Sequence, residues 1–129
     1  RFTPDVAEAM ADAEIVFIAV GTPPAEDGDV DLRYVRSAAT DIAKAIHRPV
    51  VVVNKSTVPV GTAELVADIL RAEGVPEEMF DVVSNPEFLR EGSAIEDAIR
   101  PDRIIIGADR PEAADKLVEL YAALGGLII

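Results

Sequence analysis

The 129-residue chain contains no cysteine, no tryptophan and one histidine. Without cysteine it can form no disulfide, no thiolate metal site and no cysteine nucleophile. That composition suits a reducing cytosol. A single histidine, His47, excludes a histidine metal cluster and argues against a Ser-His-Asp triad. At the end of a predicted helix it reads as a favourable partner of the negative dipole end, and no metal site is expected. Basic residues are scarce: 12 Lys and Arg against 24 Asp and Glu leave a net charge of −12. Such a balance opposes nucleic acid phosphates and anionic membranes. No apolar run approaches the roughly 20 residues of a membrane span, and no secretory leader opens the chain. A cytoplasmic protein without nucleic acid or membrane partners is the expectation.

Half of the residues are hydrophobic, and the length suffices for one domain with a real core. Thr3-Pro4 reads as an N-cap followed by proline at the first helical position, opening a short helix with Val6, Met10 and Ala13 on one side. Residues 15–20 form a continuous apolar run, hence a central strand. Asp31 is the expected cap of a helix whose Leu32, Val35, Ala39, Ile42 and Ile46 recur at spacings of three and four. Residues 50–53 predict the second strand. Thr62 is the expected cap of a third helix carrying Leu65, Val66, Ile69 and Leu70 and stopped by Gly74. Residues 80–84 predict a third strand and 104–106 a fourth. Pro111 opens a last helix with Ala114, Leu117, Val118, Tyr121 and Leu124 on one side, halted by Gly125-Gly126. Strands alternating with helices argue for βαβ units, and so for an open, doubly wound α/β domain with a parallel sheet.

Three loops leave the carboxyl ends of these strands, at residues 21–29, 55–61 and 85–92. In open α/β sheets that edge binds ligands. The first loop begins Gly21-Thr22-Pro23-Pro24 and continues acidic through 25–29. The second brings a lysine, two hydroxyls and a glycine to a helix N-terminus, ingredients for holding an anion or orienting a water; its residue order is not that of a P-loop. The third, Asn85-Pro86-Glu87-Phe88-Leu89-Arg90-Glu91-Gly92, places two carboxylates, a guanidinium and two large apolar groups after a strand that Pro86 must end. Ser93 and Glu96 read as a capping box. Glu87 and Glu91 would stand about 13 Å apart in an extended loop but about 5–6 Å apart in a helical one, and the sequence leaves both open. Phe88 and Leu89 could equally be core, and Arg90 a solvated charge.

The stretches Lys55-Ser56-Thr57-Val58-Pro59-Val60-Gly61-Thr62 and Ser84-Asn85-Pro86-Glu87-Phe88-Leu89-Arg90-Glu91-Gly92-Ser93-Ala94-Ile95 resemble the UDP-glucose 6-dehydrogenase family. Gly21-Thr22-Pro23-Pro24, Asp31-Leu32-Arg33-Tyr34-Val35 and Pro101-Asp102-Arg103-Ile104-Ile105-Ile106-Gly107 fall in the same order and spacing. The resemblance covers nearly the whole chain. It implies a Rossmann-like fold and NAD-dependent oxidation of a sugar C6 alcohol to a carboxylate, UDP-glucose becoming UDP-glucuronate. It also implies two hydride transfers: the first gives an aldehyde that a cysteine captures as a thiohemiacetal, and the second turns that adduct into a thioester that water hydrolyses. Carried over by similarity, Glu87 is the acid/base group and Thr57 positions the hydrolytic water. Val20, Gly21, Thr22, Pro23, Ser56 and Glu91 would contact NAD. Glu87, Phe88, Leu89, Arg90 and Glu91 would line the UDP-sugar site. Partial burial beside Phe88 would raise the affinity of Glu87 for a proton, which suits a general base near neutral pH. A homodimer or higher oligomer is expected of the complete enzyme.

The chain also departs from that family. The Gly-x-Gly-x-x-Gly fingerprint and the acidic residue expected at the ribose are absent, as is the catalytic cysteine. Residues 1–129 therefore read as one partial domain, the second half of an NAD-binding domain. GDP-mannose and UDP-N-acetylmannosamine dehydrogenases share parts of the pattern. The loop Glu-Phe-Leu-Arg-Glu-Gly followed by Pro-Asp-Arg favours UDP-glucose over them. A noncatalytic Rossmann-like module is the alternative from another class.

Overall fold

The computed structural model describes residues 2–25 and 28–129. Glu26 and Asp27, inside the acidic loop read at 25–29, lie outside the described residues. Four consecutive valines open β2 (Val50–Asn54), and every one is buried. β1 (Ile15–Ile18) and β3 (Phe80–Ser84) flank it in parallel, with Ile15 opposite Val51 and Val51 opposite Asp81. A strand covered on both faces needs apolar groups at successive positions, which explains the valine run. Val50 and Val52 enter a core that includes Met10 of α1 (Val6–Met10), Val35, Ala39 and Ile42 of α2 (Arg33–Ala45), and Val66 and Leu70 of α3 (Thr62–Ala72). Val51 and Val53 point the other way, against Ala113 and Leu117 of α5 (Pro111–Tyr121). The doubly wound α/β arrangement expected from sequence is present, with β1, β2 and β3 adjacent in chain order.

The fourth strand differs. Only β4 (Arg103–Ile104) forms in the stretch expected at 104–106, and it pairs in parallel with β6 (Leu127–Ile128) in a separate two-stranded sheet. The neighbour of β3 is instead β5 (Gly107–Ala108), which runs antiparallel. A parallel return needs a crossover of a dozen or more residues packed on the sheet. α4 (Ala94–Ile99) has six residues and buries none, so it supplies no such crossover.

Helix starts also shift from their expected positions. The cap of α1 is Asp5, whose Oδ1 accepts from the Glu8 amide at 3.1 Å; Thr3 braces it by accepting from the Asp5 amide. Leu32, not Asp31, stands before α2, while Asp31 accepts from the amide and side chain of Arg33. Gly61 precedes α3 at φ +90°, a conformation that a side chain would oppose. Thr62 is the first helical residue, donating its hydroxyl to the Pro59 carbonyl at 2.7 Å. The Ser93–Glu96 capping box does not form: Ser93 donates to Asp97 and Glu96 pairs with Arg100. On α5 the buried stripe is Ala113 and Leu117, with Tyr121 packed against it. Val118 and Leu124 stay over a third exposed, and Leu124 lies beyond the end of the helix.

Candidate functional site

The three loops converge and are hydrogen-bonded to one another. Ser56 Oγ donates to the Val20 carbonyl at 2.7 Å, and Thr22 Oγ1 donates to the Thr57 carbonyl at 3.0 Å. Thr57 Oγ1 donates to Glu87 Oε2 at 3.1 Å, joining the second loop to the third. Sequence placed these residues at one sheet edge; the parallel register of β1, β2 and β3 brings them within hydrogen-bond distance. Gly21 and Pro23 are exposed at the outer side of the cluster.

Beside it opens a cavity of about 410 Å³ walled by the loop after β3, α4, the segment 101–104 and the end of α5. Glu87, Phe88, Leu89 and Arg90 line it. Phe88 and Leu89 are 45% and 47% exposed, so neither is core. The Arg103 guanidinium lies over the Phe88 ring, 5.0 Å from its centroid, a stacking contact that shapes this wall. Arg90 is not a free charge: Asp97 receives its backbone amide at 2.9 Å and its guanidinium in a two-pronged contact. Residues 85–90 form neither helix nor strand, and a turn with Gly92 at φ +85° begins at Glu91, which is exposed.

Two residues at this wall, Asn85 and Tyr121, were given no role from sequence, and Lys55 was read there only as an ingredient for holding an anion. Asn85 is fully buried. Its Oδ1 accepts from Tyr121 Oη at 2.5 Å and from Lys55 Nζ at 3.2 Å, and its Nδ2 donates to the Ile105 carbonyl at 2.8 Å. Lys55 also sits over the Tyr121 ring at 5.6 Å. Burial lowers the proton affinity of the Lys55 amine, while the nearby charge of Glu87 opposes that shift. Burial raises the pKa of the Tyr121 phenol. Tyr121 was visible only as an apolar-stripe residue; nothing local marks a tyrosine whose partner lies 36 positions away. A hint existed for Asn85, since an amide adjoining a strand-ending proline has its backbone direction constrained.

As a cofactor wall, the cluster fits one side of a dinucleotide site. A Cβ added at Gly21 would meet nothing within 4 Å, so open space adjoins the end of β1, with the Thr22, Ser56 and Thr57 hydroxyls beside it. Those hydroxyls are committed to loop contacts, which leaves backbone and hydroxyl lone pairs as the remaining polar surface. No glycine-rich turn for a pyrophosphate is present in the sequence.

The sequence pattern of the UDP-glucose/GDP-mannose dehydrogenase family, NAD binding domain, matches residues 1–125. The chain belongs to this family. NAD is accordingly its cofactor. The UDP-glucose 6-dehydrogenase of Pseudomonas aeruginosa is 52% identical over 124 residues, 94% of this chain and 27% of that relative. The structure of a UDP-glucose dehydrogenase from Pyrobaculum islandicum superposes with a TM-score of 0.92 at 49% identity, over 99% of this chain and 30% of that one. GDP-mannose dehydrogenase from Pseudomonas aeruginosa superposes with a TM-score of 0.93 at 36% identity, over 98% and 30%. The chain therefore spans under a third of the length of these relatives. Fold similarity is the same for both sugar nucleotides and does not separate them. Among the described residues, no helix is long and apolar enough to cross a membrane.

Proposed function

We propose that residues 1–129 are a partial NAD-binding domain of an NAD-dependent dehydrogenase that oxidises the C6 alcohol of UDP-glucose to the carboxylate of UDP-glucuronate, in the cytoplasm and as a homodimer or higher oligomer. The observation that carries this reading is the hydrogen bond from Thr57 to Glu87, a residue that lines the cavity. A threonine hydroxyl has one proton and two lone pairs. Because Thr57 gives its proton to Glu87, its lone pairs remain to accept from a water. The same water can then donate its second proton to Glu87. Glu87 is the base that removes a proton as water attacks the acyl group, and Thr57 sets the direction of attack. Bound NAD supplies the hydride acceptor for both oxidation steps. Val20, Gly21, Thr22, Pro23 and Ser56 form its wall, with Glu91 facing it from the third loop. Phe88, Leu89 and Arg90 line the sugar nucleotide side, and Arg90 does so as a strut fixed by Asp97.

The test is Glu87→Gln in a full-length dehydrogenase carrying this segment. The substitution keeps shape and removes the base, so turnover of UDP-glucose should fall by about 10²–10⁴, with acyl-enzyme accumulating and substrate affinity little changed. Parental turnover in the variant would remove Glu87 from the acid/base role. Identity of 36% to a GDP-mannose dehydrogenase supports a second reading, decided by comparing kcat/KM for the two sugar nucleotides. Activity on neither would leave a noncatalytic module.

A further inference from the structure

We propose that the Lys55 ammonium is the receptor for the carboxylate that the reaction creates, held at the cavity wall by Asn85 and Tyr121 as positioning residues. This rests on the dehydrogenase reading above. Oxidation turns an uncharged alcohol into an anion inside a cavity that Glu87 already lines. Two carboxylates sharing one partly dry site disfavour each other, so the product needs a cation there that the substrate does not. Of the cavity's cations, Arg90 is taken by Asp97, and Arg103 is stacked on Phe88. Lys55 is in no salt bridge among the described residues, and Asn85, its hydrogen-bond acceptor, is neutral.

Asn85 fixes where that ammonium stands. Its backbone amide donates to the Asn54 carbonyl at 2.9 Å, and its Nδ2 donates to the Ile105 carbonyl at 2.8 Å. The amide is therefore oriented with Oδ1 towards Lys55. Tyr121 Oη donates to the same Oδ1 at 2.5 Å while its ring faces the ammonium at 5.6 Å. One ammonium proton is spent on Asn85 and two remain for a ligand. With a neutral acceptor the ammonium has no ion-pair contact among the described residues, the Glu87 charge acting on it only through space, and half-burial strengthens whatever attraction it exerts. The direction of the Lys55 shift, towards easier deprotonation through desolvation, agrees with an ammonium that gains from an incoming anion.

The experiment is calorimetry of UDP-glucuronate and UDP-glucose binding to a full-length dehydrogenase carrying this segment, as wild type, Lys55→Met and Tyr121→Phe. Lys55→Met should weaken UDP-glucuronate by about tenfold or more, the loss of a charged hydrogen bond, and leave UDP-glucose within about twofold. Tyr121→Phe keeps the ring and removes only the hydroxyl. It should shift the two affinities in the same unequal way, by about threefold for UDP-glucuronate, even if Lys55→Met fails to fold. Equal weakening of both ligands, or unchanged UDP-glucuronate affinity, overturns the proposal. A wild type that binds neither sugar nucleotide overturns the dehydrogenase reading itself.

Discussion

At the scale of single residues, Asp97 does most to hold the loop after β3. Its carboxylate collects the Arg90 amide, the Arg90 guanidinium and the Ser93 hydroxyl, the last at 3.0 Å. The Arg90 guanidinium above all, then the Arg90 amide, holds the Asp97 pKa far below the ordinary carboxylate range. Its folded-state pKa lies below the unfolded value of about 3.9. The stabilisation is therefore complete above that value and is lost as pH falls from there through the folded pKa. The expected outcome is an Asp97 side chain still ionised at about pH 3, followed by its carboxyl carbon shift in an NMR titration. A midpoint near the ordinary value would show that the Arg90 contact does not persist in solution. Asp97→Asn should then speed amide exchange at Arg90, since the charge-assisted acceptor is gone.

At the scale of elements, the small β4–β6 sheet sets the far wall of the cavity. Pro101 and Ile104 line that cavity, and β6 pairs with β4, the strand that contains Ile104. The approach to β6 depends on Gly126. It adopts φ +90°, and an added Cβ would stand 2.5 Å from the Pro101 carbonyl oxygen. Both objections to a side chain act together there, so Gly126→Ala should cost about 2–4 kcal/mol. Thermal unfolding checks the magnitude. Gly125→Ala is the control, with positive φ but no neighbour within 4 Å, and should cost only about 1–2 kcal/mol. Equal losses for the two would mean that the Pro101 contact is not a constraint.

At the scale of the whole molecule, β1 pairs with β2 on one side only among the described residues. Its Phe17 is 38% exposed. A strand edge of this kind offers unpaired backbone groups to another chain. The purified 129-residue chain should therefore self-associate through β1. It should also give no NADH from UDP-glucose and no saturable NAD binding at micromolar levels, having neither a glycine-rich pyrophosphate turn nor a cysteine. Light scattering and calorimetry test this. Micromolar NAD affinity in a monodisperse sample would mean that a glycine-rich turn is not the principal anchor of NAD here.

The sequence by itself determined the α/β class, the three parallel strands and the loops that carry the chemistry. Valine runs and three-four spacings report burial directly, and burial is a local property of strand and helix faces. It also placed Thr57 and Glu87 on neighbouring strand ends, since parallel strands in chain order bring successive loops together. Tertiary structure alone decided which polar groups meet. The Ser93 hydroxyl had the Glu96 capping box available in sequence and took Asp97, because Asp97 was already fixed by Arg90. The antiparallel β5 likewise followed from how little of the sheet α4 covers, which no local pattern records. The Lys55–Asn85–Tyr121 cluster joins the loop after β2, the loop after β3 and the end of α5. Its members are ordinary in their own neighbourhoods; only the packing of α5 over the sheet brings a phenol, an amide and an ammonium to one oxygen atom.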